Sequence, residues 1–157
     1  MNDAARRVPV TVTKVHPRAE LPAYSTDGDA GADLVSVVET TLAPGERALL
    51  RTGLTIALPP GTVGLVHPRS GLAHRHGVTV ANAPGTIDCG YRGEVLVNLV
   101  NLDPVESFTV HVGDRIAQLV IQSYLHGDFA EADSLPDSAR GDTGHGSTGG
   151  FGVPAQH

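Results

Sequence analysis

The stretch Gly85-Thr86-Ile87-Asp88-Cys89-Gly90-Tyr91-Arg92-Gly93 sets one carboxylate in glycine-rich backbone, with an aromatic ring three residues on. Glycine lets the backbone approach a ligand closely and adopt positive φ. An aspartate held in such a loop can act as a general base on water. The same residues also make ordinary hairpin turns, because Gly and Asp favour turns for conformational reasons. The stretch alone leaves both readings open. A second candidate is Pro68-Arg69-Ser70-Gly71-Leu72-Ala73. Arginine, serine and glycine at the start of a helical turn make a small anion site at the positive end of the dipole; a plain capped turn uses the same residues. A third runs from Arg140 to Gly150 and combines an arginine, hydroxyls and glycines. Such a segment can wrap phosphates and order as it does so, or can be a disordered linker. Gly144 to Gly149 matches G-x-G-x-x-G, but no strand leads in and no βαβ unit surrounds it. Arg140-Gly141-Asp142 spells an adhesion tripeptide, which is read as chance because no secretion signal accompanies it. Two further segments complete the set. In Gly113-Asp114-Arg115-Ile116-Ala117-Gln118-Leu119, Arg115 and Gln118 bracket an apolar run and Asp114 can orient an arginine. In Asp29-Ala30-Gly31-Ala32-Asp33-Leu34, a carboxylate precedes a strand.

The elements that must position these groups read as β almost throughout. Val8, Val10 and Val12 alternate with polar or small residues, which is strand periodicity. Further β-like runs are Ala48–Leu58, Val63–His67, Gly77–Ala81, Glu94–Leu102, Ser107–Val112 and Arg115–Leu125. Turn signals separate them at Pro44-Gly45, Pro59-Pro60-Gly61, Pro84-Gly85, Asp103-Pro104 and Gly113-Asp114. Short strands at regular spacing predict a sandwich or barrel of the jelly-roll kind. One helical turn is expected over Ser70–His76, with Ser70 as its cap. Asp27–Asp33 is expected to be an exposed loop entering a strand. From residue 128 the chain is rich in Asp, Ser, Gly and Pro with few apolar anchors. A body over 1–127 and a mobile arm over 128–157 are therefore expected.

A chain of 157 residues suggests one domain. Aromatics are 4% against 40% hydrophobic, so the core must be aliphatic. The net charge of −6 gives no global attraction to nucleic acid. Lys14 is the only lysine, so phosphate binding must rest on arginine, hydroxyls and backbone N–H groups. The single cysteine, Cys89, allows no disulfide within one chain, which suits a reducing cytoplasm. No apolar run approaches a membrane span.

The five segments, in this order, resemble the motifs of the trimeric dUTPase family, and of bacterial, actinobacterial-like members in particular. The matching stretches are Ala30–Leu34, Pro68–Ala73, Asn82–Gly93, Gly113–Gln118 and Arg140–Gly149, within a resemblance over about residues 20 to 152. It implies an all-β jelly roll (a β-clip) with one short helix and a glycine-rich C-terminal arm. It further implies a homotrimer whose three sites lie between subunits, closed by a neighbour's arm. The activity implied is Mg2+-dependent hydrolysis of dUTP to dUMP and diphosphate, which keeps uracil out of DNA and supplies dUMP for thymidylate synthesis. By the same resemblance Asp88 activates the water that attacks the α-phosphorus. Asn82, with the hairpin backbone of Gly85, Thr86 and Ile87, reads the uracil edge. Tyr91 packs under the deoxyribose and rejects a 2′-hydroxyl. Arg69, Ser70, Gly71 and Gln118 contact the phosphate chain. Asp33 holds Mg2+ through water, and Arg140, Gly146, Ser147 and Thr148 grip the γ-phosphate. Asp114 and Arg115 look structural.

Two positions depart from the family pattern. His145 stands where a phenylalanine usually stacks on uracil, and Thr143 stands where glycine is common; a β-branched residue stiffens that turn. Cys89 replaces a small residue and needs no special role. The nearest rival reading is a dCTP deaminase on the same fold, which needs a glutamate proton shuttle; Glu94 is the nearest glutamate, but its strand lacks the deaminase-like pattern. A second rival is a non-catalytic binding protein that keeps the pocket without its base or arm. A third is a metal site on His74 and His76, with no further ligand placed by spacing.

Overall fold

The computed structural model describes residues 7–139 and 141. Contacts group the chain into two units that meet in sequence between Leu125 and His126, and the described residues of the second form neither helix nor strand. In the first unit the described residues form, in order, β1 (Thr11–Lys14), β2 (Gly31–Val35), β3 (Thr40–Leu42), β4 (Arg47–Ala57), β5 (Thr62–His67), α1 (Ser70–His76), β6 (Val78–Val80), β7 (Gly85–Ile87), β8 (Glu94–Asn101), β9 (Phe108–Val110) and β10 (Arg115–Ser123). One sheet has the order β1-β4-β8-β6, a second β2-β10-β5-β7, and β3 pairs with β9. Every pairing is antiparallel. Neighbours within each sheet are distant in sequence, so the chain crosses repeatedly between sheets. This is the all-β, jelly-roll-like fold that the strand pattern predicts.

Period-two burial builds the core. In β8, Val95, Val97, Leu99 and Asn101 point inward while Leu96 is exposed. Leu50, Leu54, Val95 and Leu99 from the first sheet meet Leu34, Ile116 and Leu119 from the second and Leu42 and Val110 from β3 and β9 in one cluster. Each such side chain stabilises the fold by about 1.5–3 kcal/mol on burial. The cluster is aliphatic, as a composition without tryptophan requires. Two polar side chains inside it are fully bonded. Thr52 donates to the Val95 carbonyl at 2.6 Å. Asn101 donates to the carbonyls of Leu42 at 3.0 Å and Glu106 at 2.8 Å and accepts from the Asp103 N–H at 2.9 Å. It thereby ties the end of β8 to β3 and to the 102–107 loop.

The N-terminal alternation holds in part: Val10 and Val12 pack on the core, but the ladder starts only at Thr11, after Pro9, which has no N–H to donate. Several local expectations need correction. Ser70 is the first helical residue and not the cap; Arg69 is the N-cap, in extended conformation, and no side chain caps the helix. Gly85–Ile87, which could be read as turn, is a strand paired with β5. The expected exposed loop Asp27–Asp33 ends early, because residues 31–33 already lie in β2 with Ala32 buried. Thr40–Leu42, for which no strand was expected, forms β3 against β9 across the fold.

Candidate active site

Strand β10 is central to the second sheet, and its register decides what meets there. Gln118 pairs with Asp33 on β2 and with His67 on β5. Directly opposed residues on adjacent strands point to one face, so Asp33, Gln118 and His67 form a row across three strands. Strand β5 ends at His67, and Pro68-Arg69 turns the chain into α1. The turn brings Arg69 over the row, where its Nε donates to Asp33 Oδ1 at 3.0 Å. Arg115, the first residue of β10, donates to Asp33 Oδ2 at 3.1 Å, and the Ser25 hydroxyl donates to the same oxygen at 3.2 Å. The Gln118 amide donates to the Pro68 carbonyl at 2.9 Å. Together with Ser70, Gly71 and Arg75 these groups line an open cleft of about 680 Å³. The first intrahelical N–H of α1 belongs to Leu72, bonded to the Arg69 carbonyl at 3.1 Å. The N–H groups of Ser70 and Gly71 therefore precede the helical ladder.

A smaller cavity, of about 170 Å³, lies beside β7. The pairing of Gly85 with Val66 and Ile87 with Gly64 turns Ile87 into the core and leaves Thr86 and Asp88 outward. The Tyr91 N–H then closes a turn onto the Asp88 carbonyl at 3.0 Å. Arg92 bends back onto the carbonyls of Cys89 and Tyr91, at 2.8 and 2.7 Å, and so serves the loop itself. The cavity is lined by Asn82, Gly85, Thr86, Ile87, Asp88 and Tyr91, among others. Tyr91 is 44% exposed, which removes core packing as its role.

The carboxylates in the two clefts differ in their bonding. Asp29 is bonded by the hydroxyl and the N–H of Thr26, which hold its pKa below the ordinary aspartate value. Asp33 is enclosed by two guanidiniums. Glu94 accepts from Arg51 Nε at 2.9 Å and from the Gly53 N–H at 2.8 Å. Asp88 alone has a side chain with no hydrogen bond to any described residue, so its oxygens are open to water. The bonding of Glu94 also bears on deamination: a glutamate committed to an arginine and a backbone amide is not poised to shuttle protons.

The sequence-predicted residues thus assemble as two groups. Asn82, Gly85, Thr86, Ile87, Asp88 and Tyr91 share one cavity; Asp33, Arg69, Ser70, Gly71 and Gln118 share the other. No residue lines both, and the neighbours Val66 and His67 face one each. Arg140, Thr143, His145, Gly146, Ser147 and Thr148 lie outside the described residues. Arg75 and Ser25 were missed by sequence reasoning. Arg75 could have been found, because Gly71 and Arg75 are four apart in the expected helix and so share a face. Arg115, expected to be structural, lines the larger cleft and pairs with Asp33; Asp114 instead accepts from the His111 N–H at 2.8 Å. The same helix disposes of a His74–His76 metal site: residues two apart on a helix do not face each other, and His76 packs against Phe108 with ring centroids 5.0 Å apart.

The donor set of the larger cleft fits a hydrated Mg2+. The carboxylate of Asp33 offers about four acceptor positions, of which Arg69, Arg115 and Ser25 take three. One position remains, which can accept from a water of a hydrated ion. Among the described residues no group of His, Cys, Asp or Glu is arranged to hold a metal. Mg2+ keeps several waters and commonly rides on substrate phosphates, so this donor set suits it.

Comparison with known proteins agrees with this geometry. The family model for dUTPase matches residues 17–149. The chain is 56% identical over 149 residues to the deoxyuridine 5'-triphosphate nucleotidohydrolase of Thermobifida fusca, covering 95% of this chain and 83% of that protein. It is 54% identical over 146 residues to the protein of the same name from Mycobacterium leprae, covering 90% and 95%. Among solved structures it is similar to the dUTPase of Staphylococcus bacteriophage 80alpha with dUpNHpp, with a TM-score of 0.83, 27% identity and coverage of 90% of this chain and 98% of that one.

Proposed function

This chain belongs to the dUTPase family, and from that premise we propose that it hydrolyses dUTP to dUMP and diphosphate, with Asp88 taking the proton of the attacking water. The observation that carries the assignment is the freedom of the Asp88 carboxylate in a cleft where every other carboxylate is bonded. As water attacks, its oxygen bonds to the α-phosphorus, its proton passes to Asp88, and the bond from the α-phosphorus to the bridging oxygen breaks. Diphosphate leaves with that oxygen. A positioned base of this kind contributes about 10²–10⁴-fold in rate.

The remaining groups bind and orient. Asn82 and the backbone of Gly85, Thr86 and Ile87 meet the uracil edge, and the Tyr91 ring meets the deoxyribose. Arg69, Ser70, Gly71 and Gln118 take the phosphate chain, with the Arg69 guanidinium aligned in advance by Asp33. Mg2+ entering with the triphosphate would reach Asp33 through water and supply neutralisation of the phosphate charge. One nucleotide must bridge the sugar cavity and the phosphate cleft, and these share no lining residue. That separation supports a homotrimer in which the hairpin of one subunit faces the phosphate cleft of another. In this reading residues 1–127 build the clefts. The arm over 128–157 covers the nucleotide, with Arg140, Gly146, Ser147 and Thr148 at the γ-phosphate and His145 over the base. The single thiol of Cys89 suits work in the cytoplasm.

Turnover in water enriched in heavy oxygen tests the chemistry directly. Attack on the α-phosphorus puts the label in dUMP. Label in the diphosphate would move the attack to the β-phosphorus and remove Asp88 from its assigned place.

A further inference from the structure

Tyr91 is exposed and sits at a loop tip, yet a steric gate must be stiff. A ring that yields by a fraction of an ångström admits the hydroxyl it is meant to reject. The fixing of that ring is therefore a property of whatever anchors it. The Tyr91 hydroxyl donates to the Glu94 carbonyl at 3.0 Å. The ring lies back over Gly93, where any Cβ would collide with the phenol, so only glycine allows this fold-back. Glu94, the first residue of β8, is itself pinned: its side chain is 18% exposed and accepts from Arg51 Nε at 2.9 Å and from the Gly53 N–H at 2.8 Å. Gly53 has φ +70° and sits where the β4–β8 register shifts, between Arg51 and Thr55. A Cβ at Gly53 would come within 2.7 Å of His16 Cβ and 2.9 Å of Ala19 Cβ. The glycine is thus wedged against the 15–19 loop, and Ala19 belongs to the core. Contacts run without a gap from the core through Gly53 and Glu94 to the Tyr91 hydroxyl.

We propose that Glu94, seated by Arg51 and Gly53, is a positioning residue that fixes the Tyr91 ring and thereby sets discrimination of deoxyribose from ribose. The inference rests on Tyr91 being the sugar-facing group. Glu94 touches no reacting atom; its carbonyl holds the phenol, and its carboxylate holds its own backbone in place.

The test is the ratio of kcat/KM for dUTP to that for UTP, both measured on one preparation. The fraction of active protein cancels in this ratio, so a merely structural loss leaves it unmoved. Glu94→Ala should lower the ratio at least tenfold, mainly through a rise for UTP. Glu94→Gln can still accept from Gly53 and should retain most of it. Tyr91→Phe keeps the ring and the Glu94 carboxylate contacts to Arg51 and Gly53 but loses the hydroxyl anchor, so it should shift the ratio in the same direction; it carries the test if Glu94→Ala fails to fold. Wild-type preference for dUTP with an unchanged ratio in folded Glu94→Ala and in Tyr91→Phe overturns the clamp alone. A wild type without preference for dUTP over UTP overturns the sugar-site reading and the clamp with it.

Discussion

Asp88→Asn separates chemistry from binding and folding, and the structure sets the size of each effect. The Asp88 side chain is exposed and bonds to no described residue, so the amide replaces it without leaving a buried group unpaired. Such surface changes cost within about 0.5 kcal/mol. For a domain of about 150 residues that is a shift in Tm of no more than about 2 °C. The amide cannot accept the water proton. Loss of a general base costs about 10²–10⁴-fold, or about 2.7–5.5 kcal/mol on the barrier at 1.36 kcal/mol per tenfold. Single-turnover diphosphate release should therefore fall at least a hundredfold, while the Kd for dUTP, measured by equilibrium titration, stays within a few-fold. Turnover within tenfold of wild type refutes the base assignment. A parallel collapse of binding would mean that Asp88 holds substrate and not water.

Other perturbations probe the supports of the site. Asn101→Ala strands the buried Leu42 carbonyl and unties the part-buried Glu106 carbonyl and Asp103 N–H; with about 1–3 kcal/mol for an unpaired buried group, a loss of about 2–4 kcal/mol by urea unfolding is expected, and less than 1 would show that water replaces the amide. Asp33→Asn removes the charge that Arg69 and Arg115 share, and should raise KM for dUTP more than it lowers kcat; an unchanged KM would detach Arg69 from the phosphates. Truncation after Ala139 should cost rate far more than stability, and a large fall in Tm would contradict the assignment of the arm to substrate contacts. Asp103 accepts from the N–H groups of Glu106 and Val105, which hold its pKa below the ordinary value. A depressed folded pKa gives stability that is present above the unfolded value of about 3.9 and lost as pH falls through the folded one. Asp103→Asn should flatten the stability profile in that acidic window, and an identical slope would rule out the contribution.

The long strands were legible because period-two burial is written locally. Glu94–Leu102 and Arg115–Leu125 differ from β8 and β10 by one or two residues at their ends, and Ser70–His76 is α1 itself. The short elements divide: the expected runs Gly77–Ala81 and Ser107–Val112 contain β6 and β9, whereas β3 and β7, of three residues each, carried no strand pattern and form where β9 and β5 lie beside them. The site divides along the same line. Asp88 and Tyr91 sit within one short stretch, so adjacency in sequence made them visible, whereas Asn82 entered only through the family resemblance. The bonding of Asp33 to Arg69 and Arg115 depends on the register of β10 against β2 and β5. Nothing in the local sequence states which residue of one strand faces which of another. For the same reason Glu94 could be weighed as a proton shuttle from sequence, although Gly53 and Arg51, forty residues earlier, already occupy it.

The most direct test of the account is diphosphate release from purified protein with Mg2+ and, in parallel, dUTP, UTP, dCTP and dTTP. Release from dUTP alone is predicted, since the proposed function has the hairpin read uracil, the Tyr91 ring reject the ribose hydroxyl and Asp88 supply the base. Equal release from all four, or none from dUTP while it binds, would contradict the assignment of these groups to a dUTP-hydrolysing site.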